Sequence, residues 1–223
     1  MSRTTVLEAP LPAAKGTNGH KRKAEKIPDY LVREVVNGVK FYYPGFREAM
    51  KKTKTIDDIM PESTFQAILK NEVGDLLKSK IDRAKFRVLV GETGLHIKHG
   101  DNLGLDVAVF DKAVLTREKV NTHFADVPAE LVVEVDVKVE SELNDKELFT
   151  EYLVPKTKRL LGFGTKRVVW LLSKSRQTLV ADSIERWQFL DWSEPVELMP
   201  GIILEIYPLL EAAELDPPPP IEI

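Results

Sequence analysis

The chain has 223 residues, with 32 lysines and arginines against 35 aspartates and glutamates, so its formal charge is −3. Hydrophobic residues make up 43%, which suffices for one packed core, and no apolar run reaches the roughly 18 residues that cross a bilayer. Cysteine is absent, which excludes disulfides, thiolate zinc sites and cysteine nucleophiles. The mild acidity argues against a surface coated with positive charge but permits a local basic strip.

The composition divides the chain into three regions. Residues 1–26 carry six cations and two acids without an apolar period, which predicts a flexible basic arm. Residues 27–214 hold the apolar segments of one domain. Residues 215–223 form a tail in which the run Pro217–Pro220 favours an extended spacer. Because the arm has no apolar leader, we expect a cytoplasmic protein that does not contact a membrane.

A hairpin and a capped helix are the first elements predicted. Two β-rich runs, Tyr30–Val36 and Val39–Tyr43, flank Asn37-Gly38, a dipeptide that readily takes the positive φ of a type I′ turn. Ser63 and Gln66 have the spacing of a capping box. Apolar residues then recur with helical period at Phe65, Ile68, Leu69, Val73, Leu76 and Leu77.

Strands dominate the rest of the chain. They are predicted at Phe86–Val90, Leu95–Lys98, Leu105–Phe110, Leu131–Val139, Val168–Leu172, Gln177–Asp182, Trp187–Leu190 and Ile202–Tyr207. Asp145–Phe163 is a predicted helix interrupted at Pro155, which lacks a backbone donor. This order predicts a mixed α/β (α+β) fold, with a mixed central sheet flanked by helices and an N-terminal β-hairpin.

The strand Leu131–Val139 carries the first candidate functional residues. Side chains alternate across a strand, so Glu134, Asp136 and Lys138 share one face at steps of about 6.6–7 Å, and the valines take the other. One carboxylate at this spacing can hold a divalent cation while the lysine reaches an adjacent water or phosphate. An antiparallel strand with one solvated face shows the same alternation, so both interpretations stay open.

Asp106 is the second candidate, because it shares a predicted strand face with Ala108 and Phe110. A carboxylate among apolar side chains costs free energy unless a cation or hydrogen-bond donors compensate it. The alternative is an aspartate at the first residue of a strand that accepts turn N–H groups. Together with the acids of the later strand, Asp106 supplies the parts of a metal-dependent phosphodiesterase site, and its oxygen ligands suit Mg²⁺ or Mn²⁺.

From Tyr30 to Glu214 the chain resembles the Uma-two family of bacterial endonucleases, a branch of the PD-(D/E)xK restriction-endonuclease-like superfamily. The segments that carry the resemblance are the Asn37-Gly38 hairpin, the helix Met60–Leu77, Gly91-Glu92-Thr93-Gly94-Leu95, Leu105-Asp106-Val107-Ala108-Val109, Pro128-Ala129-Glu130-Leu131-Val132-Val133-Glu134-Val135, the helix with Lys156, Trp170-Leu171-Leu172 and Pro200-Gly201-Ile202. Their order and spacing are more specific than any one of them.

The resemblance matches Asp106 to the aspartate of the family's Pro-Asp and Glu134 to its acidic residue on the next strand. The chain also departs from the family. Leu105 replaces the usual proline, and Gln66 stands where many relatives have a helix histidine. Asp136-Val137-Lys138 replaces an apolar-Ser-Pro sequence and spells the D-x-K of the superfamily. Glu134 and Asp136 therefore both remain candidates for the second metal ligand.

The residues and the resemblance together predict a metal-dependent endonuclease that hydrolyses phosphodiester bonds of DNA. Asp106, Glu134 and Asp136 would bind Mg²⁺ (or Mn²⁺), which activates a water molecule. Lys138 would stabilise charge on the phosphate or orient the water, and Lys156 is the reserve lysine for this role. A homodimer is expected, because cutting two strands needs two sites.

Two alternatives and one surface complete these predictions. A nuclease fold without catalysis could bind nucleic acid or protein, and a structural homodimer could leave the charged strand face in solvent. Residues 156–167 contain five cations and no acid: Lys156, Lys158, Arg159, Lys166 and Arg167. This strip is predicted to be the best contact for a phosphate backbone, with a solvated helix face as its alternative.

Overall fold

In the computed structural model, residues 27–135 and 149–217 are described. The predicted arm of residues 1–26 therefore lies outside the described residues, and so do Asp136, Lys138 and residues 218–223. Within the two described ranges, no helix combines the length and apolar character needed to cross a membrane.

The N-terminal hairpin forms as the sequence predicts. Strands β1 (Val32–Val36) and β2 (Val39–Tyr42) pair antiparallel. Asn37 and Gly38 connect them with φ angles of 53° and 80°, the left-handed values of a tight hairpin turn.

Two helices follow the hairpin. Helix α1 (Phe46–Met50) is short, and helix α2 (Thr64–Lys80) is the longest among the described residues. The predicted capping box is present at the start of α2. The Gln66 N–H donates to the Ser63 hydroxyl, and the Ser63 N–H donates to the Gln66 side-chain oxygen, each at 3.3 Å. This cap fixes the end of α2 that lies beside the candidate site described below.

The remaining elements build a sheet with helices on both sides. They are β3 (Phe86–Lys98), β4 (Asp101–Asp111), β5 (Leu131–Val135), α3 (Val154–Phe163), β6 (Arg167–Leu172), β7 (Gln177–Ala181), β8 (Trp187–Asp191), β9 (Val196–Met199), β10 (Ile202–Leu204) and α4 (Ile206–Ala212). Eight described strands form one sheet in the order β2-β1-β4-β5-β6-β7-β8, with β3 also paired to β4, while β9 and β10 pair separately. The predicted α+β class is confirmed.

Three predicted elements differ from the structure. β3 is one strand where two were predicted, because Gly91, with φ 115°, forms an irregularity without ending the pairing. The predicted strand Ile202–Tyr207 is a short strand followed by α4. Pro155 stands in the first turn of α3, directly after a π-helical turn, so the predicted interruption is a change of helix type at this proline and not a break in the helix. One π-helical turn (Phe149–Leu153) precedes α3.

The sheet is covered on both faces, so it has two cores. α2, α4 and the β9-β10 pair cover one face, where the buried side chains include Leu69, Val73, Leu77, Val107, Val133, Leu204 and Ile206. α3 covers the other face, where they include Ala108, Phe110, Val132, Leu160 and Trp170. Gly74 lets α2 lie close to β3, because a Cβ built there would stand 2.4 Å from the Val90 Cγ2.

β5 lies in the interior of this sheet. It pairs antiparallel with β4 and parallel with β6, and all five of its residues are buried. Because neither face of β5 is solvated, the predicted alternative of an antiparallel strand with one solvated face is wrong for residues 131–135. Burial on both faces is typical of strands with a parallel neighbour, as β5 has in β6. β3 fills one edge of β4, so β1 at Asn102 and β5 at Val107–Val109 share the other edge. Asp106 lies between these two pairings.

Candidate functional site

Asp106 occupies the middle of β4 and lines a cleft of about 420 Å³. The ladder between β4 and β5 ends at the pair Val107 and Val133, and the next free donor, the Val135 N–H, donates to Asp106 Oδ2 at 2.8 Å. The alternative of a strand-first aspartate that caps its own turn is therefore wrong. Asp106 Oδ1 lies 3.5 Å from the Lys70 Nζ, and the residue is 4% exposed.

Two side chains of α2 reach this point, and they lie four residues apart on one helix face. The Gln66 amide donates to the Val135 carbonyl at 3.3 Å. Lys70, which is buried, forms ion pairs with Glu62 and with Asp106. Neither Lys70 nor Glu62 was predicted as a site residue. Lys70 could have been found from its position four residues after Gln66, because the family resemblance had already singled out Gln66.

Glu134 lies on β5 and is 1% exposed. Its Oε2 accepts a hydrogen bond from the Lys156 Nζ at 3.0 Å, while its buried Oε1 has no hydrogen-bond partner among the described residues. Burial raises the pKa of Glu134 to about 8; Lys156 opposes the shift, and the carboxylates of Asp106 and Glu34 add to it. The Glu134 carboxyl therefore holds its proton more strongly than an exposed glutamate does.

Lys156 lies at the centre of a buried polar network on the α3 side of the sheet. Besides Glu134, its ammonium lies 2.8 Å from the Gly104 carbonyl, 3.2 Å from Glu34 Oε2 and 3.3 Å from the Tyr152 hydroxyl. Tyr152 in turn donates to Glu34. Burial works to lower the pKa of Lys156, but the carboxylates of Glu134 and Glu34 outweigh it and raise that pKa. The ammonium stays charged, with all its donors used.

The raised pKa of Glu134 predicts how the stability of the metal-free protein depends on pH. Between pH 4.5 and about 8 the native state holds a proton that the unfolded chain has released, so stability falls as pH rises and levels off above pH 8. One such proton changes the unfolding equilibrium constant by about tenfold per pH unit. Urea unfolding in EDTA from pH 5 to 9 measures this slope.

Glu134→Gln is the matching variant, because it removes the titrating group that faces Lys156, Glu34, Asp106 and Tyr152. We expect it to flatten the pH dependence and to be more stable than the wild type at pH 9. Parallel pH profiles for the two proteins would contradict the assignment of the slope to Glu134.

The predicted site residues fall into two groups. Asp106 on β4 and Glu134 on the neighbouring β5 interact electrostatically, and Lys156 of α3 contacts Glu134; Asp106 lines the cleft, whereas Glu134 and Lys156 do not line it. Asp136 and Lys138 lie outside the described residues. Sequence reasoning missed Glu34 and Tyr152, since a glutamate in a β-hairpin and an aromatic residue before a helix carry no distinguishing local signal.

The predicted basic strip is not a free cationic surface. Lys158 alone is exposed without an ion pair to a described residue, whereas Lys156 is buried in its network. The other three cations pair with acids from distant elements: Arg159 with Asp101, Lys166 with Glu130 at 2.7 Å, and Arg167 with Asp182 at 2.6 Å. That this strip is the best contact for a phosphate backbone stays a prediction.

The donor chemistry of the site suits a hard divalent cation. Asp106 and Glu134 present carboxylate oxygens, which Mg²⁺ and Mn²⁺ prefer, and a buried acceptor without a partner, such as Glu134 Oε1, is what a cation satisfies. Within the described ranges, no three histidine or acidic side chains are grouped closely enough to hold a metal ion by themselves. Two carboxylates are thus in place, and a complete ligand set needs a further donor.

No protein-family model and no curated protein sequence matches this chain. Among solved structures, the fold is similar to that of a protein from Anabaena variabilis described as a putative nuclease belonging to DUF820, with a TM-score of 0.56 and 14% sequence identity. The similarity covers 80% of this chain and 89% of that one. It confirms the predicted restriction-endonuclease-like fold, a mixed sheet flanked by helices, while membership of the Uma-two family stays a prediction.

Proposed function

We propose that this protein is a metal-dependent endonuclease that hydrolyses phosphodiester bonds of DNA. One observation carries the proposal: the Asp106 carboxylate lines an open cleft and interacts electrostatically with Glu134 on the neighbouring strand, whose buried Oε1 lacks a partner among the described residues. The shared fold with a protein described as a putative nuclease gives it further support.

The charge of the cleft supports a requirement for metal. Two cations and five acids line it: Arg33 and Lys54 against Glu48, Asp58, Glu62, Glu92 and Asp106. A phosphodiester would be repelled by this excess of negative charge unless a cation offset it. A bound Mg²⁺ or Mn²⁺ would polarise the phosphoryl group and lower the pKa of its water.

Each protein group has a distinct part in this proposal. Asp106 and Glu134 would hold the metal, and Asp136, two residues further along the same chain segment, would supply the additional carboxylate. Lys156 acts as a positioning residue, because it fixes the Glu134 carboxylate and favours its ionised form. Lys138 is the group proposed to reach the phosphate and stabilise its developing charge.

The proposal is tested with supercoiled plasmid DNA. Purified protein is expected to nick or linearise the plasmid with Mg²⁺ or Mn²⁺ and to be inactive in EDTA, and Asp136→Asn is expected to abolish the activity. A linear product formed without free nicked intermediate would accord with the proposed homodimer. Absence of metal-dependent cleavage across single-stranded and double-stranded DNA would refute the nuclease assignment.

A second candidate is a nuclease fold that binds nucleic acid without cleaving it. It is favoured by the ion pairs of both carboxylates, Asp106 with Lys70 and Glu134 with Lys156, which already supply cations to the site. The two candidates differ in metal binding. An active site gains stability from Mg²⁺ by mass action, so the melting temperature rises with the Mg²⁺ concentration, and Asp106→Asn removes this rise. For a module without a metal site, the wild type and Asp106→Asn respond to Mg²⁺ in the same way.

A further inference from the structure

A second pocket, of about 250 Å³, lies at the C-terminal end of α2, away from the cleft of Asp106. Every charged residue that lines it is a cation: Lys78, Arg83, Arg87 and Lys112. The remaining lining side chains, Ile81, Phe86 and Val88, are apolar. We call it the α2-end pocket. The Asp106 cleft differs from it, because acids outnumber cations there.

Of the four cations that line the α2-end pocket, Lys78 forms an ion pair with a described acid, and Arg83, Arg87 and Lys112 form none. Residues 78–87 with Lys112 contribute six cations, against the three acids nearest in sequence, so the net charge of this region is positive. Asp75 pairs with Lys78 at 2.9 Å, Asp82 accepts the Ala84 N–H at 2.8 Å, and Asp111 accepts the Ala113 N–H at 2.8 Å. Neither Arg83 nor Arg87 forms an ion pair with a described residue.

We propose that the α2-end pocket binds the phosphate backbone of double-stranded nucleic acid, as a second contact remote from Asp106. Guanidinium groups match phosphate oxygens with paired donors, and contacts of this kind fix the register of a protein on a duplex. The proposal deepens the proposed function, and it rests on that function in taking a nucleic acid as the substrate.

The distance between the two pockets fits one duplex. Gln66 lines the cleft and Lys78 lines the α2-end pocket, and twelve helical residues span about 18 Å. Along β4 the path from Asp106 to Lys112 covers about 20 Å. Each strand of B-DNA carries one phosphate per 3.4 Å of axis, so a duplex with its scissile phosphate at Asp106 would meet the second pocket about five base pairs away.

The test compares two double variants that each lose two positive charges. Arg83→Gln with Arg87→Gln removes the unpaired guanidinium groups of the pocket. Lys174→Gln with Arg186→Gln is the matched control, because both residues are exposed and neither lines the α2-end pocket. Binding of a fluorescent 24-base-pair DNA is measured by anisotropy in EDTA from 50 to 300 mM salt, in the Asp106→Asn background.

The pocket variant is expected to bind at least about tenfold more weakly at 100 mM salt, and its plot of log affinity against log salt is expected to be shallower by about 2. The control is expected to stay within about twofold of the parent. Arg83→Lys with Arg87→Lys should keep most of the salt slope, which separates lost contacts from a lost fold.

The proposal would be overturned if the pocket and control variants weakened DNA binding equally, or if neither weakened it. It would also be overturned if inorganic phosphate bound at the pocket while the pocket substitutions left the affinity for the duplex unchanged. The last would assign the pocket to a free anion. Because binding is measured without metal or cleavage, pocket-dependent binding by a protein that never cuts DNA would refute only the proposed hydrolysis.

Discussion

Asp106→Asn is expected to lower metal-dependent DNA cleavage by at least about 100-fold while the protein stays folded. The amide oxygen of asparagine can still accept the Val135 N–H, which Asp106 accepts at 2.8 Å, so the join between β4 and β5 is kept. What is lost is the negative charge that would hold a divalent ion beside Glu134. Plasmid nicking in Mg²⁺ measures the activity, and thermal unfolding checks the fold.

Glu48→Gln is the control for this variant. Glu48 lines the same cleft, is exposed and forms no side-chain bond with a described residue, so its loss removes the same charge without removing a proposed ligand. Activity within about threefold of the wild type is expected for it. If both variants lost activity equally, the effect would be one of cleft charge, and Asp106 would lose its assignment as a ligand.

The elements that were predicted well are those whose signals are local. The Asn37-Gly38 turn and the capping box of Ser63 and Gln66 each lie within four residues, and each forms as predicted. The end of the chain was predicted less well. Ile202–Tyr207 has the composition of a strand, but only Ile202–Leu204 finds a partner strand, and the chain then turns into α4.

Part of the candidate site could be predicted from the sequence. An acid on an apolar strand attracts notice because burying a carboxylate costs free energy unless a cation or hydrogen-bond donors compensate it. Asp106 was found in this way, Glu134 was found from strand alternation and the family resemblance, and both are buried. Their partners were not found, because they are distant in the chain: Tyr152 and Glu34 are 118 residues apart, and Glu34 lies on a hairpin of ordinary appearance. Only the packing of β1 against β4 brings Glu34 into the site.

The basic strip of residues 156–167 shows why composition does not locate a binding surface. Its density of cations is similar to that of residues 78–87, but Arg159 pairs with an acid 58 residues away, and Lys166 and Arg167 also have distant partners. Arg83 and Arg87 have no such partners among the described residues. The number of charged residues can be read from the sequence, but which of them form ion pairs depends on contacts between distant parts of the chain.

Lys156→Met is expected to produce the largest loss of stability, about 3–5 kcal/mol at pH 7. Lys156 is 1% exposed and is the shared cation of Glu134 and Glu34, at 3.0 and 3.2 Å. Methionine fills the space but leaves the buried Glu34 and Glu134 without the ammonium that stabilises their ionised forms. The free energy of unfolding is measured in urea, and a fall in melting temperature of roughly 10 °C is expected.

Two further variants separate the electrostatic cost from a packing defect. Lys158→Met, on the exposed face of the same helix, should change stability by less than about 1 kcal/mol. Adding Glu134→Gln to Lys156→Met removes one of the stranded carboxylates and should restore a large part of the loss. The loss should also be greater at pH 9 than at pH 5, because protonation neutralises the carboxylates at low pH. A pH-independent loss that Glu134→Gln does not relieve would show that Lys156 serves the fold by packing, and its proposed role in lowering the pKa of Glu134 would be wrong.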